Sequence, residues 1–418
     1  MRSVRSILEL ADETLSMALD LKTPNFDYMR KRLRTNYVYR AINPARYLLD
    51  WALAKTLRRG GSVTADRDRV TKVLLISDAG AATSEEQFNP FSFYRTELRD
   101  KLKLIAVHLL LEDVLRSPKR FLKYFDIVIL KISFRTTAQE ALNIVRSIKA
   151  SLDGRRLIYF DGDDDLCVQW PKILPYVDLY VKKHLFRDRG QYLKRFVGKS
   201  NLTDYVYRRY NYSFSDDPIA SGTEPLPIEQ LSKLAVGCNL ASDRNIFKLY
   251  MDRRLRPIEG PKDYDIVFRG SLPNDWMYYL RGDIGPALER LGKRFRIITP
   301  VDRVPTDEYY QEMQASKICI SPFGYGEICW RDFEAMLSGC LVIKPDMGHV
   351  ETNPDIFKPY QTYVPVRWDF SDLEEKCTHY LEHDDERRCI VNQAFAILDE
   401  FYRNDGIITT ISNLVHRA

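Results

Sequence analysis

The stretch Ser321–Cys340 reads Ser-Pro-Phe-Gly-Tyr-Gly-Glu-Ile-Cys-Trp-Arg-Asp-Phe-Glu-Ala-Met-Leu-Ser-Gly-Cys, and its residue types suit a particular kind of ligand. Gly324 and Gly326 let a backbone come close to a bound group, and the N–H groups that open a following helix favour an anion such as a diphosphate. Glu327, Arg331 and Glu334 are spaced four and three apart, which puts them on one face if the segment is helical throughout. Arg331 offers a two-pronged contact to phosphate oxygens. Glu334 can accept hydrogen bonds from ribose or sugar hydroxyls, and Tyr325 can stack on the same ligand or pack locally. The same spacing would also serve an exposed trio of intrahelical ion pairs, at only about 0.3 kcal/mol each.

The neighbouring sequence favours the ligand. Lys317–Ser321 reads as a buried strand, and Leu341–Ile343, after Gly339, reads as a second, so strand, glycine loop, helix and strand form a right-handed βαβ unit. The segment resembles the C-terminal donor-binding motif of GT-B glycosyltransferases, in particular the exostosin-like and glycosyltransferase family 1-like groups. Their pattern runs roughly Ser-Pro-x-Gly, then Arg-x-x-Glu-Ala-x-x-x-Gly-Cys; here it is Ser321, Pro322, Gly324, Arg331, Glu334, Ala335, Gly339 and Cys340. Many GT-B enzymes carry two glutamates separated by seven residues, whereas six lie between Glu327 and Glu334. The resemblance implies that Arg331 meets the donor phosphates and Glu334 the ribose or sugar. It also implies that the nucleotide-sugar is a co-substrate, with no cofactor or metal required. In Phe268-Arg269-Gly270-Ser271, the loop where GT-B enzymes set a basic residue against the donor, Arg269 and Ser271 become further donor-binding candidates.

Two series of continuous apolar runs must position these residues. The first is Lys72–Ser77, Leu104–His108, Asp126–Lys131, Arg156–Phe160 and Val177–Val181; the second is Tyr264–Phe268, Phe295–Thr299, Lys317–Ile320, Leu341–Ile343 and Thr362–Val366. Runs without alternation indicate parallel strands covered on both faces. The expected fold class is α/β of GT-B type, two Rossmann-like doubly wound domains facing a central cleft, preceded by a helical extension. The expected boundaries are 1–65 for a basic helical extension, 66–222 for an acceptor domain, 223–385 for the donor domain and 386–418 for closing helices that pack back on the first domain.

Asp161-Gly-Asp-Asp-Asp165 follows a strand and supports a rival reading. In GT-A glycosyltransferases an Asp-x-Asp so placed holds a divalent cation, which carboxylate oxygens suit; Asp161 and Asp163 would then be ligands of a metal-dependent transferase. In a two-domain cleft they can instead face the acceptor. An inverting transferase needs a group that takes the acceptor hydroxyl proton, and Asp78, Asp161 and Asp163 are the catalytic candidates. Lys182, Lys183 and His184, just past a strand end, can meet phosphate or an acidic acceptor or form a solvated basic turn, and His349, in the loop beyond a donor-domain strand, can reach the donor. A catalytically silent nucleotide- or sugar-binding scaffold at a membrane is the reading of a different class.

Composition narrows the setting. The first sixty residues hold twelve Lys or Arg against six acids, and Tyr47–Arg59 reads as a basic amphipathic helix that can lie on an anionic membrane surface or pack on the protein. No apolar run is long enough to cross a bilayer, and acids interrupt the start where a secretory signal would be apolar. The seven scattered cysteines suit reduced thiols. The expectation is a cytoplasmic protein, peripheral at the inner membrane face, acting on a glycan or glycolipid acceptor. No basic and aromatic nucleic-acid pattern, P-loop or dinucleotide fingerprint stands out.

Overall fold

In the computed structural model the apolar runs become two all-parallel sheets. Residues 70–78, 87–214, 222–256, 258, 261–270, 275–299 and 304–417 are described; the basic extension, Ser271 and the first seven residues of the proline-bearing stretch 215–227, which the sequence suggests as an interdomain linker, lie outside them. The first sheet is built from β1 (Thr71–Ser77), β2 (Leu104–Leu110), β3 (Ile127–Lys131), β4 (Arg156–Asp161), β5 (Leu179–Lys182) and β7 (Leu234–Val236), in the order β2-β1-β3-β4-β5-β7. The second contains β8 (Tyr264–Val267), β9 (Ile297–Ile298), β10 (Ser316–Ile320), β11 (Leu341–Pro345) and β13 (Val364–Val366), in the order β13-β11-β10-β8-β9. Counted from its own first strand, the first sheet runs 2-1-3-4-5-6 and the second 2-1-3-4-5, both doubly wound orders. Strand order therefore reverses between β1 and β3 in one sheet and between β8 and β10 in the other, and ligands bind at such points, outside the carboxyl ends of the strands. The expected GT-B class is borne out.

The domain division departs from the sequence reading at one place. Leu234–Val236 lies beyond the expected boundary at 222 but pairs with β5 of the first sheet, Val181 opposite Ala235. The chain leaves the first sheet only after β7, through the helix Arg244–Leu255. The closing helices begin with Asp384–Arg403, whose first turn carries Asp384, Asp385 and Glu386 against the positive end of its dipole. The next helix, Gly406–His416, lays Ile407, Ile411 and Leu414 on the outer face of the first sheet, against Val73, Ile129 and Val181. Helix Ile284–Leu291 covers the outer face of the second sheet, with Leu288 and Leu291 packed among Ile318, Leu341 and Val364. A third apolar cluster runs from Leu74, Val128 and Tyr159 of the first domain into Phe333, Val342 and Met347 of the second. The two domains thus share a core.

The seam between them is also pinned by polar contacts. β6 (Leu185–Phe186) pairs antiparallel with β12 (Val350–Glu351) across it, and the Arg187 N–H donates to the His349 carbonyl at 2.8 Å. Arg189 and Glu351 form an ion pair at 2.8 Å in the same ribbon. Asn239 donates its side-chain N–H to the Asn353 carbonyl at 2.9 Å.

Candidate active site

The donor-side loop leaves β10 at Ser321, and the helix that follows is Trp330–Leu337. It starts where it does because Cys329 is the N-cap, with extended backbone, and Asp332 accepts the Cys329 N–H at 3.0 Å, a capping box. It ends at Gly339, whose φ of 73° is the left-handed conformation that closes a helix. Glu327 therefore precedes the helix, and the expected single charged face of Glu327, Arg331 and Glu334 does not form. Only Arg331 and Glu334 are helical.

A buried ion pair fixes this loop. The Lys344 ammonium from β11 meets the Asp332 carboxylate at 2.7 Å and donates to the Glu327 carbonyl at 2.8 Å, with both side chains fully buried. Asp332 also accepts the Ser321 hydroxyl at 2.6 Å. Sequence reasoning singled out neither Asp332 nor Lys344, because a buried acid and a lysine inside an apolar strand show no spacing that links them.

Arg331 donates to the Arg269 carbonyl at 2.9 Å, while its Nε is buried without a partner. Arg281 stands beside it, holding the Phe323 carbonyl at 2.8 Å through Nε, with Nη2 only 3.4 Å from where a side chain on Gly324 would begin. Burial, and then the charge of Arg331, push Arg281 below its usual range. Two guanidiniums thus converge on the glycine loop at the switch point of the second sheet, an arrangement that an anion relieves. Arg281 was not legible in the sequence, where it stands in no motif. Arg269 is differently engaged from the expectation: its Nε meets Glu312 at 2.7 Å and its Nη2 meets the other oxygen of the same carboxylate. It contributes its carbonyl to Arg331, and its charge is largely committed to Glu312.

Glu334 accepts the Tyr309 hydroxyl at 2.8 Å and the Tyr310 hydroxyl at 3.1 Å. Burial raises its carboxyl above the ordinary value against the pull of those hydrogen bonds. Each carboxylate oxygen accepts more than one hydrogen bond, so capacity remains for ligand hydroxyls. Tyr325 is 55% exposed at the loop tip, edge-on to Trp276 at 6.2 Å between ring centroids.

Gly326 serves a purpose other than the expected approach to ligand. A Cβ there would lie 1.6 Å from the Asp164 carbonyl oxygen. The glycine loop of one domain and the acidic loop of the other pack backbone to backbone, so two motifs far apart in sequence meet at the seam.

The aspartates of the first domain are bound by cations and backbone. Asp161 is fully buried, paired with Lys182 at 2.9 Å and accepting the Tyr180 hydroxyl at 2.7 Å. Asp163 meets Lys199 at 2.7 Å, Asp165 meets the same ammonium at 3.3 Å, and Lys183 pairs with Asp164. Lysines thus stand where the Asp-x-Asp reading would place a cation, and among the described residues no group of three or more His, Cys, Asp or Glu is set to hold one. Burial pushes Asp163 up, but Lys199 and Lys182 outweigh it and hold the carboxyl below its usual range, which makes it a poor base. Asp78, fully buried, accepts the Ser133 N–H at 2.7 Å and ties together the two loops at the switch point of the first sheet. The three expected catalytic aspartates are all buried, and none presents a carboxylate at the surface of the seam.

Glu327 instead reaches across the seam. It is fully buried; its Oε1 accepts the Asn201 side-chain N–H at 2.8 Å and its Oε2 lies 3.3 Å from His184 Nε2. His349 Nε2 stands 3.5 Å from Oε1. Burial favours the neutral acid, yet hydrogen bonds from His184 and His349 hold this carboxyl well below the usual range. Burial lowers His184 in turn, so the ring is neutral near pH 7.

Residues 281–413 match the family model described as "Glycosyl transferase-like". Over these residues the chain is similar to that family. The match covers Arg281, the glycine loop, Arg331 and Glu334, and it bears out the expected glycosyltransferase. A comparison with curated proteins finds no match. Among solved structures, an alpha-glucosyltransferase in complex with UDP and a 13-mer DNA is similar at 11% identity, covering 82% of this chain and 100% of its own, with a TM-score of 0.41. A glycosyltransferase from Rickettsia africae ESF-5 is similar at 12% identity over 82% of this chain and 100% of its own, with a TM-score of 0.41. The S. aureus MnaA-UDP complex follows at 10% identity over 81% and 98%, with a TM-score of 0.39.

Proposed function

We propose that this protein transfers a sugar from a nucleotide diphosphate donor to a hydroxyl of a glycan or glycolipid. The observation that carries the reading is the convergence of Arg281 and Arg331 on the glycine loop at the switch point of the second sheet, one helical turn from Glu334. The diphosphate lies against the two guanidiniums and the N-terminus of helix Trp330–Leu337, which stabilise the charge that develops as the donor bond breaks. Glu334, oriented by Tyr309 and Tyr310, takes the ribose or sugar hydroxyls. The scheme asks for no metal, because the two arginines supply the countercharge. Synthesis of a cell-surface polysaccharide or glycolipid at the cytoplasmic face of a membrane, with the basic residues 1–60 meeting anionic lipid, is the setting we propose.

Calorimetry with UDP, GDP, CMP and dTDP, with and without Mg²⁺, tests the donor site. One nucleotide should bind wild type independently of metal, with affinity lost in both Arg331→Ala and Glu334→Ala. Binding that survives both changes and requires Mg²⁺ would move the site to the Asp161 loop and overturn the reading.

A further inference from the structure

A cavity of 610 Å³ opens at the seam, where Phe186, Phe196 and Asn201 of the first domain face His349 and Trp368 of the second. Its walls are aromatic: Phe186 and Phe196 stack at 5.7 Å, and Trp368 lies 5.1 Å from the His349 ring and 5.2 Å from Phe323. Aromatic faces with a few convergent polar groups suit the C–H face of a sugar ring and its hydroxyls. Asn201 Oδ1, on the cavity wall, and His184 Nδ1, on the far side of Glu327, are buried without hydrogen-bond partners. Buried polar atoms of native proteins are normally satisfied, so such atoms mark a place for a polar ligand or water.

We propose that His349, oriented by Glu327, is the general base of the transfer and that the acceptor hydroxyl enters this cavity. The inference rests on the transferase reading above and adds the residue that takes the proton. Of the candidate bases, His349 combines a position on the cavity wall, partial exposure of 25% and a carboxylate partner. Its Nε2 faces Glu327, which leaves Nδ1 as the acceptor nitrogen. In the step, the acceptor oxygen bonds to the anomeric carbon and its proton passes to Nδ1. The bond from the anomeric carbon to the diphosphate breaks, and its electron pair leaves with the nucleotide. The buried Glu327 carboxylate stabilises the imidazolium so formed, the role a carboxylate plays behind a catalytic histidine. Backside attack assisted by a base makes the transfer inverting.

Water serves as the acceptor in the test, so no acceptor need be known. Nucleotide release from UDP-glucose, UDP-N-acetylglucosamine and GDP-mannose is followed for wild type, His349→Gln, His349→Ala and Glu327→Gln, with nucleotide affinity measured in parallel. His349→Gln should lose about 10²- to 10⁴-fold in turnover while nucleotide affinity stays within about two-fold, and added imidazole should restore part of the rate of His349→Ala. Glu327→Gln leaves the ring without its carboxylate partner, so it should also lose turnover while nucleotide affinity is retained. Wild-type turnover in His349→Gln, or a folded His349→Ala that imidazole does not rescue, overturns the base assignment and leaves the donor site standing. A wild-type protein that turns over none of the donors sinks the transferase reading, and the base with it.

Discussion

Gly326→Ala tests the closest approach between the two domains. The added Cβ would stand 1.6 Å from the Asp164 carbonyl oxygen, 2.2 Å from its carbon and 3.0 Å from the Asp165 nitrogen. These are backbone atoms in a loop tied by Lys182, Lys183 and Lys199, so no rotamer change relieves the clash. Ordinary carbon contacts begin near 3.5 Å, so the loops must part by roughly 2 Å. Overpacking of this kind costs about 1–3 kcal/mol. At about 2–4 °C per kcal/mol for a domain of 150–250 residues, the melting temperature falls by roughly 2–12 °C. The control is Gly324→Ala, whose Cβ meets only the tip of the Arg281 side chain at 3.4 Å and should melt within about 2 °C of wild type. Differential scanning fluorimetry on the three proteins reads the effect. Equal melting of Gly326→Ala and wild type, or an equal fall in both variants, would refute the packing of the glycine loop on the acidic loop.

Two further predictions concern the charges that hold the site. Asp332→Asn leaves the Lys344 ammonium fully buried without a counter-charge and weakens the cap at Cys329, so urea denaturation should show a loss of about 3–5 kcal/mol; an unchanged midpoint would show that the pair contributes nothing. Burial pushes the Asp165 carboxyl up to about 7, above the roughly 3.9 of an unfolded aspartate. The folded chain therefore binds the extra proton between those values, and the stability this group contributes is lost as pH rises towards 7. Asp165→Asn abolishes that loss, so its melting temperature relative to wild type should rise between pH 5 and pH 8, and a constant difference would contradict the assignment.

The parallel strands were legible because burial on both faces leaves unbroken apolar runs such as Val73–Ile76 and Ile127–Leu130, and these need no tertiary information to recognise. The seam was not. β6 and β12 are two residues each and β7 is three, too short for any period, and each exists only because a partner strand lies beside it. Glu327 shows the same limit at the level of one side chain. Its spacing to Arg331 and Glu334 fits a helical face, but the helix begins at Trp330, because a cysteine that is not among the usual capping residues is held there by Asp332. The carboxylate freed from that face turns to His184 and His349 in two loops and to Asn201 at the start of a helix, groups from both domains. A charge that helical spacing assigns to the helix face thus sits on the boundary between the glycine loop and the seam cavity. Because one buried carboxylate touches groups from both domains, the geometry of the donor loop and the orientation of His349 are coupled, so shifts in one should be read out in the other.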